Sequence, residues 1–267
     1  MRTLPDSLDP AVVAEIDNRL VASAEEFGVT IPWAIESGSR AWGFPSPDSD
    51  YDCRFIYVRP PESYVSLWPV RDVIETPLDK IFDVNGWDLA KAVQLLVKGN
   101  ATVTEWLNSP IIYSGNEAFR DGLLELARAV VNPALIARHY LHAGRHHWSA
   151  ESTEVPIKRH LYALRSAASL RWIDQRPGEG IPPMDLPTLL AECDPPADVV
   201  DDVAELLALK AVTRELGTGQ IVPSIGRFIL EQYESGDRLY EGADTSVSDE
   251  AMAHATDYFR RAIVEFG

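Results

Sequence analysis

The polar stretch at residues 36–54, ESGSRAWGFPSPDSDYDCR, lies between two short apolar runs, Trp33-Ala34-Ile35 and Phe55-Ile56-Tyr57-Val58, and that enclosure limits what the chain can fold into. Each run is β-prone and bounded by Pro, Gly or Ser, so each reads as a buried strand. Gly38 lets the backbone turn sharply and approach a ligand. Ser39 offers a hydroxyl, and Arg40-Ala41-Trp42 can open a short helix whose free N–H groups face an anion. Asp50 and Asp52 stand two apart, so on an extended strand their carboxylates share a face while Tyr51 points into the core. Two hard oxygen donors on one face suit a divalent cation. Mg²⁺ is commonly held by one or two carboxylates plus substrate phosphate oxygens, and its charge relieves the repulsion within such a pair. A Gly-Ser turn or an Asp-x-Asp pair alone is compatible with a solvated loop. Here the carboxylates run straight into an apolar strand, and the combination reads as a metal-nucleotide site.

Gly38-Ser39 followed by Asp50-x-Asp52 resembles the signature of the DNA polymerase β superfamily of nucleotidyltransferases. The likeness continues through GSRAWGFPSPDSDYDCRFIYV, DVNGWDLAKAVQLLVKGN, EWLNSPIIY and KRHLYALRSAASLRWI, roughly residues 30 to 190, and is to the RNA-ligase-associated branch. That resemblance implies transfer of an NMP from an NTP, with Mg²⁺ or Mn²⁺ on Asp50 and Asp52 and the phosphates cradled at Gly38 and Ser39. It also implies an RNA end as the first acceptor to consider, in RNA repair.

Such a transfer calls for a third carboxylate, to complete the metal coordination or to deprotonate the attacking hydroxyl. Asp83 is the first choice for both roles, because it is an acid out of place in the apolar segment 81–84 and an adjacent strand brings it beside the pair. Asp88 is the alternative, although it stands where a carboxylate caps a helix, and Glu75 comes third. A triphosphate also needs positive groups. Arg40 is the best placed, Lys91 falls one turn after Asp88, and Lys158, Tyr162 and Arg165 share a helical face at i, i+4 and i+7. Each of these, taken singly, is also readable as a solvated or salt-bridged surface residue. His139, His142 and His146, with His147 beside them, lie near one helical face, but no HExxH pattern accompanies them and they read as facing an anion or solvent. Trp42, Trp87, Trp106 and Trp172 are assigned to packing.

The chain has 267 residues, enough to bury a full core, with a net charge of −17. That charge argues against a broad nucleic-acid surface and leaves only local basic clusters, at 138–145 and 158–171, for any RNA contact. Cys53 and Cys193 have no CxxC or Cys-His spacing and read as buried thiols. No apolar run approaches a membrane span and the first residues lack a signal-peptide core, so a cytoplasmic protein without membrane contact is expected.

Periodicity places an opening helix at 9–27, strands near 72–76 and 80–84 joined by a turn at 77–79, helices at 89–98 and 102–107, and a short apolar segment at 111–113. Helices follow at 119–131, 133–148, 156–175, 197–215 and 248–265, with a Pro/Gly-rich connector at 176–184. The expected fold is α+β: a small mixed β-sheet nucleotidyltransferase core at residues 1–117, followed by an all-helical C-terminal domain at 118–267 that completes the cleft.

The leading expectation is therefore a Mg²⁺-dependent nucleotidyltransferase acting on an RNA end. Its rivals are an enzyme that transfers AMP to a protein hydroxyl, and a nucleotide-sensing module without turnover. Intact Ser39, Asp50 and Asp52 speak against the module, and no GxxxxGK[ST] motif supports a P-loop enzyme.

Overall fold

The computed structural model describes residues 1–267 apart from 69, 78, 80, 153, 215, 216 and 241, and apart from the side chain of 239. Helix α1 (Pro10–Phe27) starts where the Asp9 carboxylate accepts from the Ala11 amide, and stops at Gly28 in the left-handed conformation. Five strands follow: β1 (Thr30–Glu36), β2 (Tyr51–Val58), β3 (Val73–Glu75), β4 (Phe82–Asp88) and β5 (Ile112–Gly115), with the four-residue helix α2 (Gly38–Ala41) between β1 and β2. They form one mixed sheet in the order β3-β4-β2-β1-β5, with β2 antiparallel to β1 and parallel to β4.

Alternation along β1 and β2 feeds two cores, which is why both strands read as unbroken apolar runs. Ala34, Cys53, Phe55 and Tyr57 pack with the stripe Val13, Ile16 and Leu20 of α1. Trp33, Ile35, Ile56 and Val58 face the other side, where α3 (Leu89–Val97), α4 (Ala101–Leu107), α5 (Glu117–Val130) and the C-terminal helix α11 (Asp249–Phe266) cover the sheet. A third core is helical. It gathers α6 (Pro133–His147), α7 (Ile157–Asp174), α8 (Leu186–Cys193), α9 (Ala197–Val212) and α10 (Pro223–Tyr240), with a two-stranded ladder of β6 (Val155–Pro156) and β7 (Thr218–Gly219) beside it.

The α+β class and the mixed sheet match the sequence expectation, with some shifts of detail. The strand expected at 80–84 begins at Phe82 and continues to Asp88 through Asn85 and Gly86, two poor strand formers. Gly86 is required there, because a Cβ would lie 2.1 Å from the Phe55 ring. Residues 78 and 80 of the expected turn region lie outside the described residues. Helices α8 and α10 were not anticipated: α8 has only eight residues and directly follows the Pro/Gly-rich connector, while α10 carries Gly226 and Gly236. The division of the cores also differs from a cut at 117/118, since α5 and α11 pack with α3 and α4 on the sheet.

The helical core is tied to the sheet by a buried junction. Phe44 is 2% exposed inside the helical core, and the Trp42 carbonyl accepts from the Leu186 amide at 2.9 Å. Behind them Arg165 of α7 donates to Glu105 of α4 at 2.6 Å and lies 4.3 Å above the Trp42 ring, while the Tyr140 hydroxyl donates to the same Glu105 oxygen at 2.9 Å. Removing one member of such a pair strands a buried charge. Arg165→Ala should therefore cost about 3–5 kcal/mol in urea denaturation, and the double variant Arg165→Met/Glu105→Leu should recover most of that loss.

Candidate active site

The site forms where the chain leaves the sheet after β1. The Ser37 amide still donates to the Asp52 carbonyl at 2.8 Å, and the backbone then turns into α2 at Gly38, whose φ is +59°. A Cβ on Gly38 would lie 1.9 Å from Asp52 Oδ2, so only glycine lets the main chain lie against that carboxylate. The Asp52 amide donates to Glu36 Oε1 at 3.0 Å. Glu36 is wholly buried, its other oxygen accepts from the Tyr113 hydroxyl at 2.7 Å, and its carbonyl accepts from the Ser109 hydroxyl at 2.7 Å. Burial pushes the Glu36 carboxyl up to about 7, against the pull of the Tyr113 and Asp52 hydrogen bonds. Burial, with the neighbouring Glu36 charge, likewise raises the Tyr113 hydroxyl. Glu36 adds to the residues expected at the site, and its signal in the sequence is an acid that continues the apolar run Trp33-Ala34-Ile35.

Parallel pairing of β2 with β4 sets Asp52 directly opposite Asp83 and Arg54 opposite Asn85. Arg54 spans the two carboxylates, donating to Asp52 Oδ1 at 3.2 Å and Asp83 Oδ2 at 2.5 Å, and its other amino group reaches the Asp83 carbonyl at 2.6 Å. The Asn85 amide donates to the remaining Asp83 oxygen. Burial raises the Asp52 carboxyl; Arg54 opposes this shift, whereas Asp83 and Asp50 add to it. Arg54 is a further addition, and it stands two after Asp52 and so on the same strand face.

The loop before β2 delivers Asp50. Ser39 Oγ donates to Ser49 Oγ at 2.9 Å, and Ser49 Oγ accepts from the Ser46 amide at 2.9 Å. Arg40 donates to the carbonyls of Ser49 at 2.6 Å and Asp50 at 3.1 Å and lies 4.0 Å above the Tyr51 ring. Arg40 thus fixes the loop rather than lining the cleft.

Ser39, Asp50 and Asp52 line one wall of a cavity of about 530 Å³ between the sheet and the helical core. Lys158 and Tyr162 line the opposite wall, together with Lys210 and Arg214, two residues for which the sequence carries no local signal. The remaining candidates sit elsewhere. Arg165 shares the helical face of Lys158 and Tyr162 but lies deeper, consumed by Glu105 and Trp42. Lys91 bonds to Asp72 at 3.1 Å, beyond the end of β4 away from Asp83. Asp88 caps α3 through the Ala90 amide at 2.8 Å and is five residues, about 16 Å, along β4 from Asp83. Glu75 bonds to Arg71 on the edge strand β3. Asp83 is therefore the carboxylate that the fold sets beside Asp52. His139 and His147 pack edge-on against Tyr140 and Tyr162, and burial lowers both. Trp42, Trp87, Trp106 and Trp172 are all packed into cores, and both cysteines are buried free thiols.

Among the described residues no group of three or more His, Cys, Asp or Glu side chains is gathered as a metal cage. What the site offers instead is two acidic side chains, Asp50 and Asp52, at the edge of an open cavity, and this donor set fits a Mg²⁺ completed by substrate oxygens.

The sequence profile described as the RNA repair pathway DNA polymerase beta family matches residues 12–261. The chain belongs to that family. It is 37% identical over 221 residues to the uncharacterized protein YcgL of Bacillus subtilis (strain 168), covering 82% of this chain and 83% of that one. A crystal structure of a nucleotidyltransferase-like protein from Exiguobacterium sibiricum aligns over 94% of this chain and 79% of its own, at 11% identity and a TM-score of 0.29, a likeness too loose to support any statement about the site. Among the described residues no helix is long and apolar enough to cross a membrane.

The Glu36 carboxyl makes a directional prediction for the metal-free protein. Its folded value of about 7 exceeds the usual 4.5, so the native state holds the extra proton between them and stability falls as pH rises through that window. The loss should be on the order of 3 kcal/mol. Glu36→Gln should flatten the dependence, matching wild type near pH 4 and exceeding it near pH 8 in urea denaturation. An unchanged slope in that variant removes Glu36 as its source.

Proposed function

We propose that this chain is a metal-dependent nucleotidyltransferase that moves an NMP from an NTP to a hydroxyl at an RNA end, in the cytoplasm where both are found. One observation carries the reading: Asp83 stands in register with Asp52 while Asp50 and Asp52 open onto a cavity that faces cationic side chains. Asp50 and Asp52 are the residues that would hold Mg²⁺ or Mn²⁺, which when bound supplies charge to offset the triphosphate and to polarise the α-phosphate. Gly38 and Ser39 approach the phosphates through their backbone and hydroxyl. Asp83, oriented by Arg54 and Asn85, accepts the proton of the attacking hydroxyl. The new bond joins that oxygen to the α-phosphorus, the bond from the α-phosphorus to the bridging oxygen breaks, and pyrophosphate leaves. In the metal-free protein Arg54 offsets the repulsion between Asp52 and Asp83.

The RNA acceptor rests on the family's description as an RNA repair pathway family. Against a net charge of −17, such an acceptor would meet a local basic cluster rather than a broad cationic surface.

Incubation with each α-labelled NTP and Mg²⁺ or Mn²⁺, with and without total RNA, tests the proposal. Label should enter RNA only in the presence of metal. Label in protein overturns the acceptor, and label in neither overturns the transferase. Asp83→Asn should slow transfer by about a hundredfold or more with little change in stability. Asp88→Asn should leave the rate near wild type, because Asn caps a helix nearly as well; the reverse pattern transfers the catalytic role to Asp88.

A further inference from the structure

On the helical wall of the cleft Lys210 is the buried cation among the described residues that line it. It lies in the last turn of α9 and is 5% exposed, with its ammonium 6.0 Å from the centroid of the Phe44 ring. Its side chain borders the cavity shared with Asp50 and Asp52. Among the described residues it makes no ion pair within 4.0 Å and no side-chain hydrogen bond. Burial depresses its affinity for a proton, with Asp48 opposing from beyond ion-pair distance and Lys158 adding to the depression. The carbonyls of the last helical turn offset part of that cost. A hydrocarbon side chain would fill the space beside Phe44 without any desolvated charge, so packing alone does not account for a lysine. The position makes physical sense as half of an ion pair whose anion arrives from outside.

The geometry limits that anion's chemistry. Lys158 and Arg214, both exposed, border the same cavity, so three cations of the helical half face the acidic wall formed by Asp48, Asp50 and Asp52. A ligand lying between these walls has to carry several negative charges on a narrow chain, with enough length to meet the acidic wall through a cation and the basic wall directly. We propose that Lys210, flanked by Lys158 and Arg214, anchors the polyphosphate tail of the nucleotide, so that the helical half of the protein selects triphosphates over nucleotides with shorter tails. The inference rests on the nucleotidyltransferase reading of the same cleft and assigns the pyrophosphate leaving group to a wall that the Gly38-Ser39 turn does not form.

The test uses the full chain with inorganic tripolyphosphate and Mg²⁺, followed by calorimetric titration and by thermal melting. Lys210→Met should melt at or above wild type without ligand, since it removes a desolvated charge. Its affinity for tripolyphosphate should drop about tenfold or more, the size of a lost charge-assisted contact, while Lys210→Arg stays within about threefold. In turnover assays KM for the NTP should rise by a similar factor while kcat changes less. If Lys210→Met folds poorly, Lys210→Gln carries the same comparison. Tripolyphosphate affinity within about twofold of wild type in the folded variant overturns the proposal. So does a loss confined to a 5′-phosphorylated oligoribonucleotide, which assigns Lys210 to the acceptor. Nucleotide transfer by wild type, with tripolyphosphate affinity unchanged by Lys210→Met, ends this inference and leaves the transferase standing. Tripolyphosphate held through Lys210 with no transfer to any acceptor ends the transferase reading instead.

Discussion

The register between β2 and β4 is the constraint on which the site depends. Side chains alternate along a strand, so a slip of one residue would carry Asp83 to the opposite face and bury a carboxylate against α1. Packing sets that register. Phe55 and Gly86 are partners across the two strands, and the ring occupies the space that any side chain at 86 would claim. With Phe55 seated over Gly86, the rungs Asp52–Asp83 and Arg54–Asn85 follow from the geometry of the ladder alone. The apolar face thereby determines the polar one. A similar logic operates at Gly38, where the absence of a Cβ lets the α2 turn close onto Asp52 and leaves the Asp52 amide to Glu36.

The arrangement concentrates acids. Glu36, Asp50, Asp52 and Asp83 cluster around the start of β2, and Arg54 is the cation that reaches two of them. Burial and mutual repulsion both act to neutralise such a cluster, and the raised Glu36 and Asp52 carboxyls express that tension. Hydrogen bonds from Tyr113, Asn85 and main-chain amides hold the geometry despite it. A fold under pressure for stability alone would place apolar residues at several of these positions, so the retained charge marks this end of the sheet as the place where function outweighs stability.

Much of this was legible in the sequence because the signals were local. Asp50-x-Asp52 obeys the two-residue period of a strand, β1 and β2 announce themselves as apolar runs, and Asp83 stands out as an acid inside a third. What was not legible depended on depth or on partners distant in sequence. Lys158, Tyr162 and Arg165 do share a face, but α7 is buried around most of its circumference, and periodicity cannot distinguish a cleft from a core when both lie along the same stripe. Lys91 looked close because it follows Asp88 by one helical turn, yet the length of β4 separates that end of the strand from Asp83. Arg40 looked free because the carbonyls of Ser49 and Asp50 that bind it are invisible in a string of letters. Lys210 gave no signal, since one lysine at the end of an amphipathic helix resembles any solvated one.

The two walls of the cleft come from different parts of the chain and carry opposite charge. The acidic wall belongs to the sheet and its preceding loop, and the basic wall to α7, α9 and the segment before β7. On a chain of net charge −17, such a separation creates a local field that the overall charge would not suggest. Their distance is fixed by the junction behind them, where Phe44 inserts into the helical core and Arg165 is clamped between Glu105 and Trp42. Trp42 and Phe44 follow directly on the turn that cradles Asp52, and both rings contact Tyr162 on the far wall. The same short segment that shapes the carboxylate site therefore joins the two walls, because Trp42 touches Arg165 of the buried ion pair on one side and Tyr162 of the cavity lining on the other.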